Sequence, residues 1–146
     1  MKKIFILLSG IGLSFYSNCA EINLPKIPKV GVSNAVEIIN ASGLKPVKIV
    51  DGLDTKGSAK KIYKFDGVFN QLEFSKSYIS ITWFQHNKAS LDKAVRLGMA
   101  TLGNDAGYFI HKVDIQGQHT DYSIQGHRIS NITCISKLCA IKIQRN

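Results

Sequence analysis

A chain of 146 residues with 45% hydrophobic side chains can bury one core, is too short for two ordinary domains and is not a disordered tail. Its 19 Lys and Arg against 10 Asp and Glu give a formal charge of +9, nearly all from lysine, since Arg96, Arg128 and Arg145 are the only arginines. Nucleic-acid readers favour arginine forks beside stacking aromatics, so lysines scattered singly argue for a solvated basic surface and against a nucleic-acid partner.

The chain starts Met1-Lys2-Lys3 and continues from Ile4 to Phe15 as an apolar run relieved only by Ser9, Gly10, Gly12 and Ser14. A cationic start and a run shorter than the roughly 20 residues of a bilayer span match a secretory signal peptide, here residues 1–20. Its removal leaves a formal charge of +7. Two routes of removal are open: ordinary cleavage near Cys19 or Ala20, or lipidation of Cys19 as the first residue of a bacterial lipoprotein. Lipidation accounts for an odd cysteine among three, although "FYSNC" lacks the leucine and small residues expected before such a site. Either route implies a periplasmic protein, touching the membrane only through a lipid.

Residues 21–32, "EINLPKIPKVGV", hold two prolines and no period, which predicts an extended linker or arm before one domain at 33–146. "SNAVEIINASGL" has a cap-like Asn34 three residues before Glu37 and a Gly43 stop, which predicts a short helix. "PVKIVDG", "KKIYKFDG" and "SYISITWFQ" read as strands, with "VFNQLEFS" as a further strand or hairpin arm. The third of these places Ile79, Ile81 and Trp83 on one face and Tyr78, Ser80, Thr82 and Phe84 on the other. Residues 87–103 form the strongest helical pattern, with Leu91, Val95, Met99 and Leu102 in one stripe and Gly98 within it for close packing on the sheet. "GNDAG" then reads as a turn. "YFIHKVDI" reads as a strand alternating Phe109, His111, Val113 and Ile115 against polar partners, and "QGQHTD" as a loop before more strands. The expected fold is α+β: an antiparallel sheet of about five to seven strands packed with two helices.

The tail "ISNITCISKLCAIKIQ" suits an antiparallel hairpin looping at Ile135–Leu138. If Cys134 faces Cys139, the same register pairs Ile132 with Ile141 and Ser130 with Ile143, so cysteines and isoleucines share a face. A disulfide stapling this C-terminal hairpin follows. The spacing exceeds C-x-x-C, and no second cysteine pair completes a zinc site.

The chemistry-bearing side chains gather in "HKVDIQGQHTDYSIQGH", with His111, Asp114, His119, Asp121, Tyr122 and His127. His111, His119, His127 and Asp121 are candidate metal ligands by residue type, and His with Asp supports general-base hydrolysis. None of the familiar spacings accompanies them, and the glycines form no phosphate-binding loop, so no cofactor is implied. A non-enzymatic binding module is therefore expected: an inhibitor, an immunity-like protein or an accessory of an envelope assembly. A small metal-dependent or His/Asp hydrolase is the alternative. Tyr78 and Phe84 are the expected contacts to a protein partner, acidic if the lysines steer it.

Overall fold

A computed structural model describes residues 22–67 and 69–145. Residues 1–20, expected to be a signal peptide, with Cys19, and the first residue of the expected arm lie outside the described residues. From Ile22 the chain runs without regular secondary structure to Asn34. It is an arm lying on the core rather than a free linker: Leu24, Ile27 and Val32 pack against buried residues, and the Val30 N–H donates to Ala100 O at 2.8 Å.

Asn34 then caps helix α1 (Ala35–Ser42), its side-chain oxygen accepting from the N–H of Val36 and Glu37. Four strands follow in hairpin succession: β1 (Lys48–Leu53), β2 (Ala59–Phe65), β3 (Asn70–Ser75) and β4 (Tyr78–Phe84). Asn87 caps α2 (Lys88–Leu102), and Gly103 (φ 84°) breaks it from α3 (Asn104–Gln116). The chain returns at the far edge as β5 (Tyr122–Ile124), then turns inward through β6 (His127–Ile135) and β7 (Leu138–Gln144). β7 pairs with β4, closing a seven-stranded antiparallel sheet of order β1-β2-β3-β4-β7-β6-β5. The protein is α+β, with three helices.

The core lies between the helices and one sheet face. Leu72, Ile79, Ile81, Trp83, Cys139, Ile141 and Ile143 point into it from the central strands. The helices supply Ile38, Ile39, Ala94, Val95, Leu97, Met99, Phe109, Ile110 and Val113.

The third helix corrects the sequence reading at residues 104–116. Phe109 and Val113 fit an alternating strand, but Ile115 is exposed and Ile110 is fully buried. The buried set Ala106, Phe109, Ile110 and Val113 follows spacings of three, one and three, which is a helical stripe. "GNDAG" is correspondingly the start of α3 rather than a turn. Gly98 packs against this helix and not against the sheet: a Cβ there would lie 2.4 Å from Ile110 Cδ1.

The tail forms the expected hairpin with the expected disulfide, and the register needs one correction. Cys134 faces Cys139 and Thr133 faces Ala140, but a bulge between Ser130 and Thr133 shifts the rest. Ser130 therefore pairs with Lys142, and Ile129 takes the place opposite Ile143 that was expected for Ser130. Asn131, at φ 51°, supplies the left-handed residue of the bulge, and Ile132 stays buried without the expected Ile141 partner. The turn itself is only Ser136-Lys137, both at positive φ (51° and 66°). Tight hairpin turns of this kind favour Asn-Gly, so Ser-Lys specifies the turn weakly and the disulfide holds it shut. Replacing both cysteines by alanine is expected to cost about 2 kcal/mol from loop entropy. Adding Ser136→Asn and Lys137→Gly to that variant should recover part of the loss in urea denaturation.

Candidate functional site

β1 and β2 reach past α1, so the helix-side face at this end of the sheet is only partly covered. Ile49, Leu53 and Ala59 of that face are exposed, and Val36 projects from α1 at 57% exposure. Between them runs a groove of about 800 Å³ with Tyr63 and Phe74 among its lining residues.

The groove carries positive charge. Arg145, just after β7, lies over the Phe74 ring at 4.1 Å and donates to four backbone carbonyls: Val32 (2.9 Å), Ser33 (3.2 Å), Ser75 (2.6 Å) and Lys76 (3.2 Å). These bonds tie the C-terminal strand to the arm and to the β3–β4 turn. None of the acceptors is a carboxylate, and among the described residues Arg145 has no ion-pair partner. Partial burial lowers its pKa from the ordinary value, the effect of desolvating a cation without a counter-charge. Lys76 lines the same groove, as does Lys61, whose charge is paired with Asp51 at 2.8 Å.

Among the described residues, no three of the candidate metal ligands His111, His119, His127 and Asp121 come together. His111 is half-buried on α3, where burial lowers its pKa. His119 packs edge-on to Phe109 and Tyr122, with Nδ1 2.7 Å from Thr120 O. The His127 Nδ1 lies 2.8 Å from Gln144 O, and Asp121 pairs with Arg128. Among the described residues no three His, Cys, Asp or Glu side chains are placed to share a metal ion.

Tyr78 and Phe84 lie on the helix-free face of the central strand, not at a sheet edge. Tyr78 is 8% exposed, its hydroxyl donating to Glu73 Oε1 at 3.0 Å and its ring covered by Lys142 Nζ at 4.1 Å. It presents no open ring to a partner, contrary to the exposed-anchor expectation. Phe84 is half-buried and heads a cross-strand row with Leu138 and Ile135, both exposed. Burial and the neighbouring Glu73 push the Tyr78 hydroxyl up to about 12. The neutral phenol is thus favoured in the folded state, and its contribution is present below an unfolded value near 10 and lost as pH rises toward 12. Tyr78→Phe is expected to flatten the loss of stability across that window in alkaline denaturation; an unchanged slope would contradict this assignment.

One residue of that sequence cluster has a part the sequence did not indicate. Asp114 on α3 is 4% exposed and accepts from Trp83 Nε1 at 3.0 Å and from the His86 N–H at 3.1 Å. The His86 ring lies 3.5 Å from the other carboxylate oxygen. His86 (φ 59°) lies in the short link from β4 to α2, so Asp114 fixes that link rather than activating a nucleophile. Its only sequence signal was a lone tryptophan that needed an acceptor once buried.

No known protein family, curated protein or solved structure matches this chain. The site is therefore read from its own geometry.

Proposed function

We propose that this is a small exported protein acting as a non-enzymatic binding module, which holds an acidic protein partner in the groove between α1 and the β1–β3 strands. The observation that carries the reading is the pairing of apolar walls with a guanidinium that has no carboxylate partner among the described residues. Apolar surface supplies affinity, while unpaired cations steer and select an anionic partner. A groove of about 800 Å³ falls in the range of ligand sites. The Cys134–Cys139 disulfide fits a compartment more oxidising than the cytoplasm, and no helix among the described residues is long and apolar enough to cross a membrane. Export would proceed through residues 1–20, in the manner of an inhibitor, an immunity-like protein or an envelope-assembly accessory. Precursor accumulation under an inhibitor of lipoprotein signal peptidase would assign a lipid to Cys19; no accumulation would assign simple cleavage.

A photo-crosslinking residue at the exposed position 36 tests the groove. Irradiation in envelope extract should give one main adduct, with an acidic protein. Its yield should fall several-fold between about 0.05 and 0.5 M salt, where charges become screened, and fall again in Lys76→Glu. Absence of any adduct at low salt would reject the reading.

A further inference from the structure

We infer that the partner engages by adding a strand to the open edge of β1, through a segment that alternates apolar and acidic residues; this rests on the binding-module reading above. β1 is one edge of the sheet, bonded to β2 on one side only. The Asp54 N–H donates to Ser58 O at 2.8 Å, which fixes the phase of the ladder. Alternation then turns the N–H and C=O groups of Lys48, Val50 and Gly52 toward β2, and those of Ile49, Asp51 and Leu53 toward the open edge. An extended chain laid there would find a row of backbone donors and acceptors at strand spacing.

The two faces flanking this edge differ in chemistry. On the helix side stand Ile49 and Leu53, at 55% and 67% exposure, with the Asp51–Lys61 ion pair between them, continuous with Val36 and the groove. Exposed edge strands are ordinarily short, charged or covered, and two bare aliphatic side chains on one face depart from that pattern. On the opposite face Lys48 stands directly across from Lys64, an arrangement of like charges that is unfavourable without an anion between them. Three nearby carboxylates are committed elsewhere: Asp51 to Lys61, Glu73 to Lys60, and Asp54 to Ser75 and the backbone of its turn, while Asp66, two residues after Lys64, forms no ion pair with either lysine. Among the described residues neither Lys48 nor Lys64 has an ion-pair partner.

An added strand has side-chain period two, so one face would cover Ile49 and Leu53 while the other faced the two lysines. Apolar and acidic residues in alternation satisfy both. A second copy of this chain suits the edge less well, because it would bring the same lysines to the seam.

The probe is an end-capped eight-residue peptide alternating valine and glutamate, with its binding to the whole protein followed by fluorescence anisotropy. The alternating peptide should bind at least ten-fold tighter than a block isomer of four valines followed by four glutamates. Methylating every backbone nitrogen of the peptide should abolish binding, since the strand bonds go with the donors. The exposed double variant Lys48→Glu/Lys64→Glu should lose at least ten-fold for this peptide and gain for one alternating valine and lysine. Equal binding of the alternating and block peptides, or of the methylated one, would overturn strand addition. A dimer in sedimentation that the peptide does not dissociate would assign the edge to a second copy and also overturn it. If these arms fail while the position-36 adduct persists, the groove reading survives alone; if the adduct is missing too, both fall.

Discussion

Asp114→Ala is expected to lower stability by about 2–4 kcal/mol, because two donors lose their acceptor while at least one stays buried. Trp83 is fully buried in the middle of the sheet, and its Nε1–H has no route to bulk water. The His86 N–H would also lose its acceptor, at a link whose backbone already sits at a positive φ that non-glycine residues adopt reluctantly. Asp114→Asn separates acceptor from charge. Both donors use Oδ1, which an amide oxygen replaces, so the asparagine variant should keep most of the lost stability. Trp83 is the only tryptophan, so its fluorescence in a denaturant titration reports this environment directly. Equal losses in the two variants would show that the negative charge, not the hydrogen bonds, is what the core needs.

This centre shows where the sequence was legible and where it was not. Local signals resolved well: Asn34 caps its helix, and the alternation of Ile79, Ile81 and Trp83 names the core face of the central strand. The disulfide was legible because hydrophobic phase and cysteine spacing select the same pairing at the hairpin tip. The bulge at Asn131 was not, since it left the cysteines in place and moved only the residues beyond them. At 108–115, "YFIHKVDI" fits period two in Phe109 and Val113 and period 3.6 in Phe109, Ile110 and Val113, and only burial decides between them. That one misreading hid Asp114 as well, because a strand would have set it apart from Trp83 in a way that a helix crossing the sheet does not.

The groove was less legible still. Its cation comes from Arg145 near the C-terminus, one aromatic from Phe74 and a wall from Val36, positions that no spacing connects. From the sequence, scattered lysines suggested an acidic partner. The expected contact fell on the central strand at Tyr78, where order in the sheet leaves a covered ring. Edge or centre is a property of topology, and β1 and β4 both carry β-branched residues.

Gly98→Leu is expected to destabilise by about 3 kcal/mol or more, the upper end of overpacking costs. A bare Cβ at 98 already falls 2.4 Å from Ile110 Cδ1, and across the same contact a Cβ at Gly107 would meet Met99 Cγ at 2.9 Å. The two glycines thus let Ile110 of α3 seat on the backbone of α2 and Met99 of α2 seat on the backbone of α3, and a leucine would have to force the helices apart. Gly98→Ala should behave differently. Its clash is with the free end of one isoleucine, while removing glycine from a helix interior returns about 1 kcal/mol. The double variant Gly98→Ala/Ile110→Val deletes the clashing atom, whereas Ile→Val elsewhere costs about 0.5–1.5 kcal/mol. The two changes should therefore couple favourably, the double variant being more stable than the sum of the single variants by at least about 0.5 kcal/mol. Strict additivity in a denaturation cycle would mean that the helices do not meet at this point, and the close α2–α3 crossing would have to be given up.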